Sequence, residues 1–360
     1  MGTDVIIVGA GLAGSAAAWA LSRRGCEVLL LEAFQPGHVN GSSHGSARIF
    51  RRAYPDPLYV RLTGEARKLW YQLEDEAGEE LITVTGAIDF GVTDEPRTMY
   101  DLLTAQHVPA ELLTPAQAAD RWPGFAFGGE DQILFHPEGG VIDAERATAA
   151  MRALAAGRGA GIRYDTKVTR IDEDGTVHTK DEVLTAPAVI VAAGAWTAPL
   201  LRDHLTLPLT VTQTQAFHFK PAGTHEHGWP AFLCHQRDQE PVYGTLSGSD
   251  APGAVKVGVH GLGAVTTGDD RTGIVNPVAR DRVQQFVLKK VPGLEPVPSG
   301  ELTCLYTSTP SEDFILDRRG NIVVASACSG HGAKFAPLTG EIAADLATGQ
   351  QPSQERFTIK

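Results

Sequence analysis

The sequence predicts an α/β protein in which a three-layer, Rossmann-like nucleotide-binding domain is interleaved with a second domain built on a mostly antiparallel sheet with helices. Three observations predict it. A strand, a GxGxxG turn and a helix open the chain between residues 4 and 32. A second run of strands, near residues 160–205, ends in a buried apolar segment and a glycine. Residues 206–300 break into short strands bounded by glycine and proline, the pattern of an antiparallel sheet.

The bulk properties bound the function. A chain of 360 residues, 42% hydrophobic and 21% charged, is long enough for two domains of ordinary globular composition. The net charge of −12, with no long run of lysine or arginine, argues against a nucleic-acid or anionic-membrane partner. Cys26, Cys234, Cys304 and Cys328 show no CxxC pairing, so neither a disulfide scaffold nor a metal site is expected. No charged n-region and cleavable apolar core opens the chain, and the apolar stretches fall short of the roughly 20 residues that cross a bilayer. A cytoplasmic protein is expected.

In "DVIIVGAGLAGSAAAWALSRRGCEVLLLE", "VIIV" is a strand suited to cover on both faces. Gly9 allows the tight turn, Gly11 lets the backbone approach a pyrophosphate, and Gly14 lets helix and strand pack closely. Leu12 and Ala13 start the helix whose N-terminus faces the phosphates. Glu32 ends the next strand, beside Ala33, where its carboxylate can accept hydrogen bonds from a ribose. A lone GxGxxG is weak evidence; the strand before it, the helix after it and the acid at its distance supply the confirming context.

The cofactor expected is FAD rather than NAD. "GAGIRYDTKVTRI" and "HTKDEVLTAPAVIVAAGAWTAPLL" read as strands, a hairpin and a buried strand ending at Gly194, a segment returning to the same cofactor as in FAD proteins of the glutathione-reductase type. Backbone near Val168 would meet the adenine, and Ala193, Gly194 and Trp196 would approach the ADP half. No second GxGxxG exists for a nicotinamide nucleotide. Between these segments lie a glycine-serine loop, a long helix around "YVRLTGEARKLWYQLEDEAG", and a helix opened by an Asp143 cap. "NIVVASAC" is a last strand, followed by a glycine loop that feeds a helix. The expected division assigns 1–85, 141–205 and 301–360 to the FAD domain, and 86–140 and 206–300 to the substrate domain.

Several charged or reactive residues have two readings on sequence alone. Cys304 in "ELTCLYTSTP" is by default a small buried hydrophobe. Arg48 and Arg51 would share a face on a helical or turn segment, as a solvated basic cluster does, yet "GSSHG" before them is a backbone-rich loop fit to approach a cofactor. Lys256 and His260 fall on one face of a strand, and an inward lysine needs a purpose. His260 also reads as a satisfied core histidine, and "SGHG" as a flexible turn.

Taken in order, "NGSSHGSARIFRRAY" (40–54), "RWPGF" (121–125), "KVGVHG" (256–261), "CLYT" (304–307) and "SGHGAKF" (329–335) resemble the D-amino-acid oxidase superfamily of FAD-dependent oxidoreductases. Within it they are most similar to the monomeric sarcosine oxidase and N-methyltryptophan oxidase family, from Asp4 to about Gly349. The resemblance implies FAD held covalently through Cys304, with Ser42, Ser43, His44 and Arg48 near the flavin. It implies Arg51 and Lys334 on the substrate carboxylate, Tyr243 and Tyr306 lining the pocket, and His260 above the flavin. Lys256 would assist dioxygen, and the backbone at Gly330, His331 and Gly332 would meet the flavin carbonyls.

The activity so implied is oxidation of a secondary, N-methyl amino acid to an imine that hydrolyses, with dioxygen reduced to hydrogen peroxide. The partners are thus a small amino acid and dioxygen, and the protein is expected to be a monomer. The segment "AFLCHQRDQEPVYGTLSGSDAPGAVKV" departs from the pattern and keeps the first of three rivals open, while Lys256 speaks against the second and the set Arg51, Lys256, His260 and Lys334 against the third. The three are an oxidase of a cyclic imino acid such as pipecolate or proline in a biosynthetic pathway, a flavin dehydrogenase with another electron acceptor, and a flavin-bound subunit without turnover.

Overall fold

The strand Val5–Val8 shows why the first domain has three layers. In the computed structural model, which describes residues 2–223, 228–261, 263–352 and 354–360, it lies inside a six-stranded sheet. The order of that sheet is Ile315–Arg319, Ile322–Ser326, Ala188–Val191, Val5–Val8, Val28–Leu31 and Gly161–Arg163. All neighbours are parallel except the Ile315–Arg319/Ile322–Ser326 hairpin. Side chains alternate across a sheet. Val5, Ile7, Val28 and Leu30 therefore pack with the helices Leu12–Arg23, Pro57–Ala77, Ala144–Gly157 and Ala336–Ala347. Ile6, Val8, Leu29 and Leu31 face the opposite way, onto the three-stranded sheet of Val168–Ile171, Val177–Thr179 and Val183–Leu184.

The local signals that start these helices are readable. Asp56 accepts from the Leu58 N–H at 2.8 Å ahead of Pro57, and Asp143 accepts from the Arg146 N–H at 3.0 Å. Each satisfies an orphan donor of the first turn. The buried strand expected to reach Gly194 stops at Val191, and Gly194–Trp196 is a single 3₁₀ turn.

The second half is a nine-stranded sheet. Its strands are antiparallel except where Ala231–Gln236 runs parallel to Ala87–Gly91. Ile88, Phe90, Phe232, Cys234, Val255 and Val257 pack on one face with the helix Pro277–Lys290. The alternate residues Leu233, His235 and Lys256 therefore point to the other face, where the cavity lies. Gly300–Ser308 pairs along its whole length with Thr210–Phe219, which sets Cys304 opposite Thr214. A small third sheet joins Arg48–Phe50, Gly140–Ile142 and Ile82–Val84. Arg48 thus lies in a strand and not on the helical or turn segment that its spacing from Arg51 suggested. Pairing with Gly140–Ile142 extends the backbone there. Among the described residues no helix is long and apolar enough to cross a membrane.

Candidate active site

A cavity of about 1170 Å³ runs from the first glycine turn to the large sheet. That exceeds the roughly 300–1,000 Å³ of a typical single small-ligand pocket, so it has room for a dinucleotide and a small substrate together. Every site residue expected from the sequence lines it except Gly14. Gly14 instead stands so close to the turn that a Cβ would sit 1.8 Å from the Gly9 carbonyl oxygen.

At the glycine end the chain is folded tightly on itself. Gly9 has φ +100°, and a Cβ there would lie 2.6 Å from the carbonyl oxygen of Ala192, just past the returning strand. The Leu12 N–H donates to Ser43 Oγ at 2.9 Å, tying the helix start to the 41–45 loop. Buried Glu32 accepts from the Ala10 N–H at 2.8 Å and the Phe34 N–H at 3.1 Å. Burial works against its ionisation, but His38 and these two N–H groups hold the carboxyl below its usual range. Trp196 donates through Nε1 to Asp269 at 2.9 Å. Arg152, which sequence reasoning missed, lies on the cavity wall and donates to Ala10 O at 3.2 Å.

In the middle, the guanidinium of Arg48 donates to the carbonyls of Ser42 (2.9 Å), His44 (2.7 Å) and Ala47 (2.8 Å), so the loop wraps around one cation. His44 Nε2 is buried without a hydrogen-bond partner among the described residues. Burial, then Arg48, Arg271 and Lys256, push this imidazole down to about 4, leaving it neutral at pH 7. Cys304 Sγ is 3.2 Å from Thr214 Oγ1. Lys256 is 4% exposed and its ammonium donates to Ala47 O. Burial first, then Arg48, push it down to about 7, against the opposing pull of Cys304 and Asp250.

At the sheet end two cations meet one tyrosine. The guanidinium carbon of Arg51 stands 4.8 Å from the ring centroid of Tyr54, and Lys334 Nζ donates to the Tyr54 hydroxyl at 3.0 Å and to His331 O at 2.8 Å. His331 Nε2 faces Glu312 O at 2.9 Å, so it carries the hydrogen; Nδ1 then accepts from the Tyr54 hydroxyl at 3.0 Å. Burial, then Lys334, hold His331 neutral by pushing it down to about 3. Lys334 lies well below the usual lysine range because of burial and then Arg51. Behind Arg51, fully buried Asp89 pairs with it at 3.3 Å and with His235 at 3.0 Å. Burial opposes that carboxylate's charge, but Arg51 and His235 keep it ionised. Tyr243 and Tyr306 are hydrogen-bonded to each other, and burial pushes Tyr243 up to about 12. The His260 ring lies 5.8 Å from that of Tyr306, its Nε2 3.8 Å from Glu312.

Tyr54, Asp89 and His235 are the functional neighbours that sequence reasoning missed. Asp89 carried a signal: an acid in the apolar run "GAIDFG" is buried only where a cation meets it.

Comparison with known proteins shows the family of the chain. Residues 4–346 match the family model described as FAD dependent oxidoreductase. The chain is 33% identical to the peroxisomal sarcosine oxidase of Homo sapiens, covering 98% of this chain and 94% of that one. It is 33% identical to the monomeric sarcosine oxidase of Streptomyces avermitilis, over 96% of this chain and 93% of that one. Among solved structures, the open form of NikD, described as an unusual amino acid oxidase essential for nikkomycin biosynthesis, superposes with a TM-score of 0.88. It shares 28% identity over 100% of this chain and 98% of that one.

Proposed function

The chain belongs to the family of FAD-dependent oxidoreductases, and from that premise we propose that it oxidises N-methyl amino acids in the manner of the sarcosine oxidases. The residues on the cavity wall fit the cofactor. The glycine turn leaves its helix start without a side-chain cap from Gly11, and His44 presents a buried nitrogen that no group among the described residues satisfies. FAD, when bound, supplies the two-electron acceptor that takes a C–N bond to an imine, which water hydrolyses to glycine and formaldehyde when the substrate is sarcosine.

The observation that carries the reading is the pair of cations around Tyr54. A half-buried arginine and a buried lysine that share one tyrosine, the lysine held well below its usual range by burial first and then by Arg51, are what remains of a site when an anion is taken away. A substrate carboxylate between Arg51 and Lys334 restores the charge of Lys334 and fixes the orientation of the substrate. Tyr54 and Asp89 keep both cations from turning away. Such fixing matters because group transfer needs reacting atoms close and aligned. Tyr243, Tyr306 and His260 form the wall against which the rest of the substrate lies and exclude water from it.

Lys256 supplies a positive charge for reduction of dioxygen to hydrogen peroxide, by the electrostatic preorganisation that stabilises developing negative charge. Cys304 carries the flavin covalently; its thiol is on the cavity wall beside Thr214. The division into 1–85, 141–205 and 301–360 against 86–140 and 206–300 belongs to the same reading, with Gly300–Ser308 as the strand where the halves meet. So do a monomeric state and residence in the cytoplasm.

The test is a panel of sarcosine, N-methyl-L-tryptophan, proline and pipecolate, scored by peroxide release and by the aldehyde formed. Preference for an N-methyl substrate, with formaldehyde and peroxide in equal amounts, supports the reading. Turnover confined to the cyclic imino acids would replace it.

A further inference from the structure

Arg271 is a cation that the site described above does not use. It lies on the 266–276 segment, between the strand Ala264–Val265 and the helix Pro277–Lys290, and its side chain is spent on oxygens of two other segments. Nη1 donates to Val39 O at 2.7 Å and Asn40 O at 3.0 Å; Nη2 donates to Thr303 Oγ1 at 2.9 Å and Thr303 O at 3.4 Å. Among the described residues no carboxylate pairs with it. The segment carrying it is itself anchored, since Gln213 accepts from the Gly273 N–H at 2.9 Å and donates to Ile274 O at 3.0 Å.

The two segments Arg271 joins are the two that flank the proposed attachment point. The 39–44 loop bears Ser42, Ser43 and His44, and Thr303 precedes Cys304. A second fastener lies on the other side of that cysteine, where Ser42 Oγ donates to Leu305 O at 2.5 Å. The loop is thus pinned to the strand at residues 303 and 305, with Cys304 between the pins. Arg271 also acts electrostatically on His44, whose protonation it opposes. A planar fork with several donors is suited to bridging such a set of acceptors, and a lysine is not.

We infer that Arg271 is the positioning residue for covalent flavin attachment, acting on its rate and not on turnover. The inference rests on the reading that Cys304 carries the flavin. In that step a C–S bond replaces the S–H of Cys304 and one C–H of the flavin methyl group. The two protons and two electrons released leave with dioxygen as hydrogen peroxide. Without the pin the loop and the strand separate, the thiol and the methyl carbon spend less time in contact, and attachment slows while reversible FAD binding persists.

The experiment uses the full chain produced without flavin, mixed with FAD in air. Attachment is followed as the yellow colour retained by acid-precipitated protein, and reversible binding by quenching of FAD fluorescence. Arg271→Gln should bind FAD within about threefold of wild type yet attach it at least tenfold more slowly, with Arg271→Lys in between. The turnover number per attached flavin should be that of wild type. Attachment by Arg271→Gln at the wild-type rate overturns the inference, as does a loss of reversible binding in proportion to attachment. Should Arg271→Gln fail to fold, Thr303→Val removes one acceptor of the pin. Slower attachment there supports the role, and the wild-type rate overturns it. A colourless wild-type pellet overturns the covalent reading and the inference together. A yellow wild-type pellet that Cys304→Ala abolishes, with Arg271→Gln attaching normally, overturns the inference alone.

Discussion

Replacing Lys256 with methionine should make the protein more stable and its reaction with dioxygen slower. Burial and Arg48 push the Lys256 ammonium from its ordinary 10.5 down to about 7. At about 1.4 kcal/mol per pKa unit, keeping that charge inside costs the folded state roughly 5 kcal/mol below pH 7. A lysine lowered on folding binds its proton more weakly in the native state than in the unfolded chain. Stability should therefore rise with pH between about 7 and 10.5 and level off above. Lys256→Met carries no charge and should lack that slope. Its gain at pH 7 is reduced by about 1–3 kcal/mol because Ala47 O is left without its donor. The net expectation is a stabilisation of about 2–4 kcal/mol. Urea unfolding of the FAD-loaded proteins across pH 6–10 reads the stability, and stopped-flow mixing of the reduced proteins with dioxygen reads the other half. Reoxidation should fall about 10²–10³-fold, the usual cost of deleting a preorganised charge, while reduction by substrate changes little. A Lys256→Met protein less stable than wild type at pH 7, with an unchanged pH slope, would refute the electrostatic reasoning.

Arg51→Gln should raise KM for the amino acid about 10- to 150-fold, the equivalent of 1.5–3 kcal/mol for a charge-assisted hydrogen bond, as read by steady-state kinetics. Asp89→Asn leaves Arg51 and His235 without their buried counter-charge and should cost about 3–5 kcal/mol in chemical denaturation; an unchanged midpoint would mean that the cluster is not coupled to folding. Gly330→Ala should abolish turnover while the far-ultraviolet circular dichroism stays native. Gly330 has φ +71°, and a methyl there would lie 2.4 Å from the Tyr306 ring and 2.8 Å from His260. Cys304→Ala should release all flavin into the supernatant on acid precipitation, and a yellow variant pellet would show attachment elsewhere.

What was legible in the sequence was what neighbours along the chain decide. The GxGxxG turn, the Asp143 cap and the strand at Lys256 each depend on a few consecutive residues and have their expected local structure, although that strand ends at Val259, one residue short of the His260 expected on its face. What was not legible depends on contacts between distant segments. Tyr54 ended a quoted motif, but nothing in the motif tells that Arg51 would lie over its ring and Lys334 on its hydroxyl. The spacing of Arg48 and Arg51 suggested a turn because spacing cannot see the strand Gly140–Ile142 that extends the segment. Nothing next to Arg271 in the chain marks it out, since the carbonyls that occupy it come from residues 39, 40 and 303. The cations were visible as residue types, and their partners only as geometry.

The central claim is that the two cations around Tyr54 hold the carboxylate of an N-methyl amino acid against bound FAD. The most direct test is anaerobic: sarcosine is added to the yellow protein, the visible flavin absorbance is followed, and air is then admitted. The account predicts bleaching, followed by rapid recovery of the colour with release of hydrogen peroxide. A flavin that dithionite bleaches but neither sarcosine nor N-methyl-L-tryptophan does would contradict it.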